Sequence, residues 1–382
     1  MATRVQRACA EIAPPAKARH RRPLAHLIHS LLGVKLSLFL GFICLTGTIA
    51  TVSHEIEWLA MPQVRATPVE GQEDWGAIWD AVRAAYPGAW IEGIGSYDRN
   101  DEPYFVRTAS VVLGSGERID VHVDPSTAQV TGEVRGPPFH SIMRGLHYYL
   151  LAPGRWPFYL VSSLGFVLLV SLVTGLMAYK KFWRGLWKRP RLDRNLRTAS
   201  GDLHRLVGLW SVPFTFVIAV TSIWYFFEFA GVDFNSSPPE VQARPADAAV
   251  PTGEEVAAWV AAARGRMPDL KVNAVTLPYG AGEPVTVQGQ AAAWLVRERT
   301  NAVYIDRADG RIAGVRRAEA LGAGERWVHT ADPLHFGNFA GLLSKLLWVI
   351  FGLMLTAMSL TGAIIFAKRT AGAAVALAPR RA

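Results

Sequence analysis

Cysteine is nearly absent from the 382 residues: only Cys9 and Cys44 occur. They form no CxxCH motif, which excludes a covalently attached c-type haem. The long polar segments Glu55–Trp156 and Glu228–Phe339 contain neither, so no disulfide braces them. Charge is missing from four runs, Leu31–Val52, Phe158–Tyr179, Leu206–Phe227 and Leu342–Ala367, apart from Lys35 and Lys345. Each run has the roughly 20 residues that cross ~30 Å of hydrocarbon as a helix. Both lysines stand near one end of their run, where a long stem carries the ammonium to the headgroups. No A-x-A site follows the first run, and the run is too long for a signal-peptide core. It reads as an uncleaved anchor.

What is present is positive charge, unevenly spread. The linker Lys180–Arg197 carries Lys180, Lys181, Arg184, Lys188, Arg189, Arg191, Arg194 and Arg197 against Asp193 alone. Lys17, Arg19, Arg21 and Arg22 precede the first run; Lys368 and Arg369 follow the last. The positive-inside rule then places both termini and the linker in the cytoplasm, and the two polar segments outside. The expected order is a tail over 1–23, a span over 24–54, an outer segment over 55–156 and a span over 157–179. A basic linker over 180–202, a span over 203–227, an outer segment over 228–339, a span over 340–367 and a tail over 368–382 complete it. The outer segments carry 14 acids against 8 bases and 14 against 11. The overall +9 therefore reports topology, and a nucleic-acid partner finds no support.

The chain is written twice. His29-Ser-Leu-Leu-Gly33 matches His204-Arg-Leu-Val-Gly208, and Thr46-Gly47 matches Thr221-Ser222. Val121-His-Val-Asp124 matches Val303-Tyr-Ile-Asp306, and Asp74…Pro87 matches Glu255…Pro268. Leu146-His147 and Thr174-Gly175 recur as Leu334-His335 and Thr361-Gly362. The unit helix–outer domain–helix thus occurs twice in one orientation, about a pseudo-twofold axis along the membrane normal. Within each outer domain, one helix should pack on a small antiparallel sheet. Trp75, Ile78, Trp79, Val82 and Tyr86 have helical spacing, and Val256–Arg264 repeats them. Strands are expected near Ile91–Tyr97, Tyr104–Thr108 and Arg118–Val123, then Val272–Leu277, Val285–Gln288, Trp294–Glu298 and Ala302–Ile305. Asn235–Pro251 reads as a flexible link.

Six of the ten histidines stand at corresponding positions. His29 and His204 begin spans at the cytoplasmic end; His147 and His335 precede spans on the outer side. A bis-histidine b-type haem needs two imidazoles facing each other from different elements. A duplicated chain supplies such a pair from its two halves, so two haems are expected, one on His29 and His204, one on His147 and His335. Small residues on the helix faces of His29 (Gly33, Gly47) and His204 (Gly208, Ser211, Ser222) would clear room for the flat ring; plain helix–helix packing uses small residues too. His54 returns to the face of His29 about 37 Å along a continuous helix and competes as an outer ligand, although its counterpart is Phe229. Arg144 and Arg205, beside the expected ligands, suit haem propionates, and snorkelling to the interface explains them equally well. His140 and His329 lie farther out in the vestibule, read first as structural and second as metal-holding. His20, His26 and His122 receive no role.

The runs Leu27-Ile-His29-Ser-Leu-Leu-Gly33, Arg144-Gly-Leu-His147, Asp202-Leu-His204-Arg-Leu-Val-Gly208 and Asp332-Pro-Leu-His335-Phe-Gly337, with the Thr-Gly pairs, resemble PepSY-associated transmembrane proteins. The resemblance covers about Leu24–Lys368 and makes the outer segments PepSY-like α+β domains. It implies a four-helix membrane protein linked to iron uptake in the inner membrane of Gram-negative bacteria. Some members are dihaem reductases that release iron from siderophores in the periplasm. The matching histidines here are His29, His147, His204 and His335. Ser222 departs from the family's Thr-Gly pattern and puts close packing of the third span in question.

The leading expectation is electron transfer across the membrane to a periplasmic ferric siderophore or other chelate. No nicotinamide or flavin fingerprint occurs in the short cytoplasmic parts, so electrons must come from a quinol or a separate cytoplasmic reductase. The competing class is a haem-free sensor or scaffold whose outer domains bind a peptide, a protease or an uptake partner. A transporter ranks last, because the spans lack charged or broken helices at mid-membrane.

Overall fold

The computed structural model describes residues 24–68, 71–98, 100–179, 182–242 and 249–377. The basic tail 1–23, Lys180, Lys181 and part of the expected link (243–248) lie outside the described residues, as do the side chains of Gly33 and Lys35. Along the chain come α1 (Leu24–Thr51), α2 (Ser53–Ala60), α3 (Trp75–Ala85) and strands β1 (Trp90–Ser96), β2 (Arg107–Val112), β3 (Arg118–Asp124) and β4 (Gln129–Arg135). Then follow α4 (Phe139–Tyr149), α5 (Trp156–Ala178), α6 (Leu196–Trp210), α7 (Val212–Phe229) and α8 (Gly253–Arg266). Strands β5 (Lys271–Thr276), β6 (Val285–Gln290), β7 (Asn301–Ile305) and β8 (Ile312–Arg316) lead to α9 (Ala323–Phe336) and α10 (Gly341–Leu377).

Among the described residues three helices are long and apolar enough to cross a membrane: α5, α7 and the Gly341–Lys368 part of α10. Helix α1 adds a fourth if its two limbs, Leu24–Leu31 and Leu36–Thr51, bent by 64°, form one span. The chain is a membrane protein with an antiparallel sheet outside its apolar helices. The third expected span is in two pieces, α6 and α7, which meet at Ser211. Pro213 enforces the break, because proline offers no N–H and its ring clashes with the carbonyl one turn back.

All eight strands form one antiparallel sheet, ordered β4-β3-β2-β1-β5-β6-β7-β8. Sequence patterning suggests two small sheets; the structure joins them at β1 and β5, where Ile94 lies opposite Val275. The offset 275 − 94 = 181 is the offset at which the two outer segments align, so the pseudo-twofold passes through this pair. Glycine permits the join: a Cβ on Gly93 would sit 2.7 Å from the Val275 carbonyl oxygen. Helices α3 and α8 cross on the same axis, where a Cβ on Gly76 would sit 2.7 Å from the Gly253 carbonyl oxygen. Trp75, Ile78, Trp79 and Val82 from α3 and Val256, Trp259 and Val260 from α8 fill one shared core.

Three strand expectations change. The strand expected over Tyr104–Thr108 starts only at Arg107 and runs on to Val112. Trp294–Glu298 is a loop, with Leu295 in the left-handed region at φ 58°. Its polar groups turn to α9 instead of a ladder: Thr330 donates to the Leu295 carbonyl and the Arg297 N–H to the His329 carbonyl. The edge strands β4 and β8 were not expected, because Gln129–Arg135 and Ile312–Arg316 lack a clear apolar alternation. Lys345 also departs from its expected place at the headgroups. It is buried, and its ammonium donates to Glu55 at 2.6 Å.

Candidate functional site

Each of the four matched histidines is gripped by a threonine on a neighbouring helix of its own half. His147, on α4, has its Nδ1 3.0 Å from the Ile43 carbonyl oxygen and 3.4 Å from the Thr46 hydroxyl, both on α1. His29, on α1, has Nδ1 3.0 Å from the Ser171 carbonyl oxygen and 3.5 Å from Thr174 Oγ1 on α5. His204, on α6, meets the Met358 carbonyl oxygen at 3.1 Å and Thr361 Oγ1 at 3.2 Å on α10. His335, on α9, meets Thr221 Oγ1 at 2.8 Å on α7. In the first three the carbonyl belongs to the residue three before the threonine, so one turn of helix makes a two-oxygen pincer. Such an acceptor pair places the ring proton on Nδ1 and leaves Nε2 with its lone pair, the arrangement a metal-ligating histidine needs.

The residue after three of these threonines is a glycine that makes room for the ring. A Cβ on Gly47 would lie 2.7 Å from His147 Cε1, one on Gly175 3.2 Å from His29 Cε1, and one on Gly362 3.6 Å from His204 Cε1. A graded result follows. Gly47→Ala should displace His147 and empty its site of any ligand, Gly175→Ala should weaken its own site, and Gly362→Ala should change nothing measurable. Cofactor content per chain after purification checks the order. At the fourth position Ser222 faces Gly165, whose own Cβ would lie 2.8 Å from that of Ser222. The glycine missing from α7 is thus supplied by α5, and packing stays close.

The gripped histidines then pair across the two halves. His29 and His204 have ring centres 6.2 Å apart, and His147 and His335 have theirs 6.4 Å apart. A metal–imidazole bond of about 2 Å on each side, plus roughly 1.1 Å from nitrogen to ring centre, requires about 6 Å. Both spacings therefore suit two imidazoles that share one iron. The His147–His335 pair opens onto a cavity of about 1370 Å³, its mouth included, lined by Gly47, Tyr148, Phe158, Phe336 and Trp348 among others. This is the pair next to the sheet. His204 and Thr221 are 17 residues apart, which is at most about 25 Å of helix, since the span breaks between them at Ser211.

Charged groups border both pairs. Arg205 donates to Asp202 through Nη1 at 3.2 Å, while its buried Nε and Nη2 have no partner among the described residues. Two orphaned guanidinium donors beside His204 fit a carboxylate. At the other pair, Arg297 and Asp332 line the cavity as an ion pair at 2.7 Å, and Tyr225 donates to Asp332 at 2.8 Å. The pincer threonines and Arg297 carry no role in the sequence reading. The Thr-Gly repeats were visible, but not which histidine each would meet.

The remaining candidates lie elsewhere. His54 stacks on His140, with ring centres 4.4 Å apart, and Arg144 lies against His54 Nε2 at 3.4 Å. His140 Nδ1 is committed to Glu57 at 2.9 Å. His329 is buried under the second half of the sheet with both ring nitrogens unpartnered among the described residues, and burial pushes it down to about 4. Among the described residues no group of three or more His, Cys, Asp or Glu side chains is placed to hold a bare metal ion.

The uncharacterized protein PA4219 of Pseudomonas aeruginosa is 37% identical over 86 residues, 22% of this chain and 21% of that protein. The match thus spans about a fifth of the relative's length. The family model of the PepSY-associated TM region matches residues 26–369, which include all four gripping threonines and all four paired histidines. This chain belongs to the PepSY-associated TM family.

Proposed function

We propose that the protein is a dihaem electron-transfer protein of the inner membrane that reduces a periplasmic ferric siderophore or other ferric chelate. The observation that carries this reading is the pair of imidazole pairs, 6.2 and 6.4 Å between centres, each ring held with Nε2 free. In this reading the chain has four spans, the sheet lies in the periplasm, and the termini and basic linker are cytoplasmic, as the distribution of Lys and Arg requires. When bound, a b-type haem supplies one-electron chemistry at each pair.

The protein's own residues do the rest. The threonine–carbonyl pincers at His29, His147 and His204, and the Thr221 hydroxyl at His335, fix the tautomer and orientation of the ligands, raising their basicity. Arg205 offers its orphaned donors to a propionate on the cytoplasmic side. The open mouth beside His147 and His335 gives a ferric chelate access to the outer pair, while the inner pair receives electrons from a quinol or a cytoplasmic reductase. Ferrous iron binds such chelates weakly, so one electron suffices for release. The purified protein should show a Soret band and about two haems by pyridine haemochrome analysis. After dithionite reduction and removal of excess reductant, adding a ferric chelate should reoxidise both. A protein without a Soret band would instead be the haem-free scaffold. Two haems that stay reduced with every ferric chelate offered would remove the reductase reading alone.

A further inference from the structure

The two halves share the gripping threonines and the paired histidines, but among the described residues only the first half sets a histidine against a buried carboxylate. Glu57 on α2 is buried and accepts from the His140 backbone N–H at 2.9 Å, from His140 Nδ1 at 2.9 Å and from the Tyr97 hydroxyl at 2.7 Å. His54 stacks on the other face of His140 at 4.4 Å. His122, on β3, stands edge-on to Tyr97 at 5.2 Å, accepts or donates at Nδ1 with Thr108, and is buried with Nε2 unpartnered among the described residues. At the offsets of the duplication, the counterparts of His54, Glu57, Tyr97 and His122 are Phe229, Val232, Pro278 and Tyr304, while His140 answers to His329. The second half thus keeps the imidazole and lacks the acid that faces it.

We propose that His140 and Glu57, with Tyr97, His54 and His122 around them, form a proton-loading site coupled to the electron at the His147–His335 pair. This rests on the electron-transfer reading above. An electron arriving from the quinol or reductase adds a negative charge to a pair buried in low dielectric. A proton taken from bulk water onto His140 offsets that charge, and it returns to water when the electron passes to the ferric chelate. Electron and proton both come and go, so nothing else is consumed.

Position and chemistry select His140. It lies seven residues before His147 on α4, two turns or about 10 Å away. Its side chain is 15% exposed, against 1% for Glu57, so it joins the buried carboxylate to solvent. Burial alone would raise the Glu57 carboxyl, but the hydrogen bonds and charge of His140, with the Tyr97 hydroxyl, hold it below the ordinary value. The Glu57 carboxylate and a positive imidazole thus favour each other's charged forms. Burial pushes His122 down to about 4, so it stays neutral and orients Tyr97. The other charges facing the cluster are Arg144 on α4, which lies against His54, and Asp120 on β3, which feels His140.

A unit charge at about 10 Å and an effective dielectric near 20 changes a one-electron equilibrium by roughly tenfold, which is 59 mV for one electron. The test is spectroelectrochemical titration of the full-length, haem-loaded protein from about pH 5.5 to 8.5, in a His204→Ala background that keeps only the outer haem. The outer potential should fall by about this amount as pH rises. With His140→Gln it should become flat, while His329→Gln, in the other half, should leave the slope intact. Tyr97→Phe removes one donor from Glu57 without touching the imidazole and should move the pH at which the slope appears. A loaded protein whose potential ignores pH, or whose slope survives His140→Gln, overturns the proton site and leaves the electron-transfer reading standing. A chain that binds no haem overturns both.

Discussion

Replacing His147 or His335 with alanine is expected to lower haem from two per chain to one, and to leave the inner haem spectrally unchanged. Replacing His29 or His204 should do the reverse. The expectation follows from how the ligands are held. His147 and His335 are gripped by Thr46 and Thr221, whereas His29 and His204 are gripped by Thr174 and Thr361. The two sites share no ligand and no pincer, so losing one should not loosen the other. A dithionite-reduced His204→Ala protein should still reoxidise on adding a ferric chelate, because the outer pair faces the cavity mouth. If electrons enter at the inner pair, as proposed, the same variant should fail to support iron release in cells. His54→Ala should keep both haems, since its ring is stacked on His140. Loss of the outer haem in His54→Ala with retention in His147→Ala would show that the outer ligand is misassigned.

Lys345→Ala is expected to destabilise the protein by about 3–5 kcal/mol, the usual cost of leaving one member of a buried ion pair alone. Lys345 is only 3% exposed and its ammonium holds Glu55 at 2.6 Å; the other Glu55 oxygen has no partner among the described residues. The ammonium also faces Asp98, whose carboxyl burial pushes up to about 6 even with that charge nearby. Removing it leaves two acids facing the gap. In detergent the thermal midpoint should fall by on the order of 10 °C. The double variant Lys345→Met with Glu55→Leu should recover most of the loss, because replacing both partners of a buried pair with apolar groups is often neutral. An unchanged midpoint in Lys345→Ala would mean that the lysine reaches the headgroups after all.

Much of the architecture was legible because its causes are local or periodic. Apolar runs of membrane length mark the spans, and the spacing of Trp75, Ile78, Trp79 and Val82 marks the buried face of α3. Break points were less legible: Pro213 splits the third span through a clash that hydropathy does not register. Edge strands β4 and β8 were missed because edge strands bury little and need no alternation.

The candidate site divides in the same way. The sequence by itself determined the family, the duplication, the four histidines and the Thr-Gly repeats, since each is a pattern of residue types at fixed offsets. Only the tertiary structure decided that each Thr-Gly grips the histidine of a neighbouring helix in its own half, and that the gripped rings then meet across the halves. It alone joined the two sheets at Ile94 and Val275, buried Lys345 against Glu55, and gathered His54, Glu57, Tyr97, His122 and His140 into one cluster. The reason is range. A helix or strand face follows from neighbours a few residues away, but a pincer 101 residues from its histidine, as Thr46 is from His147, exists only once the helices have packed.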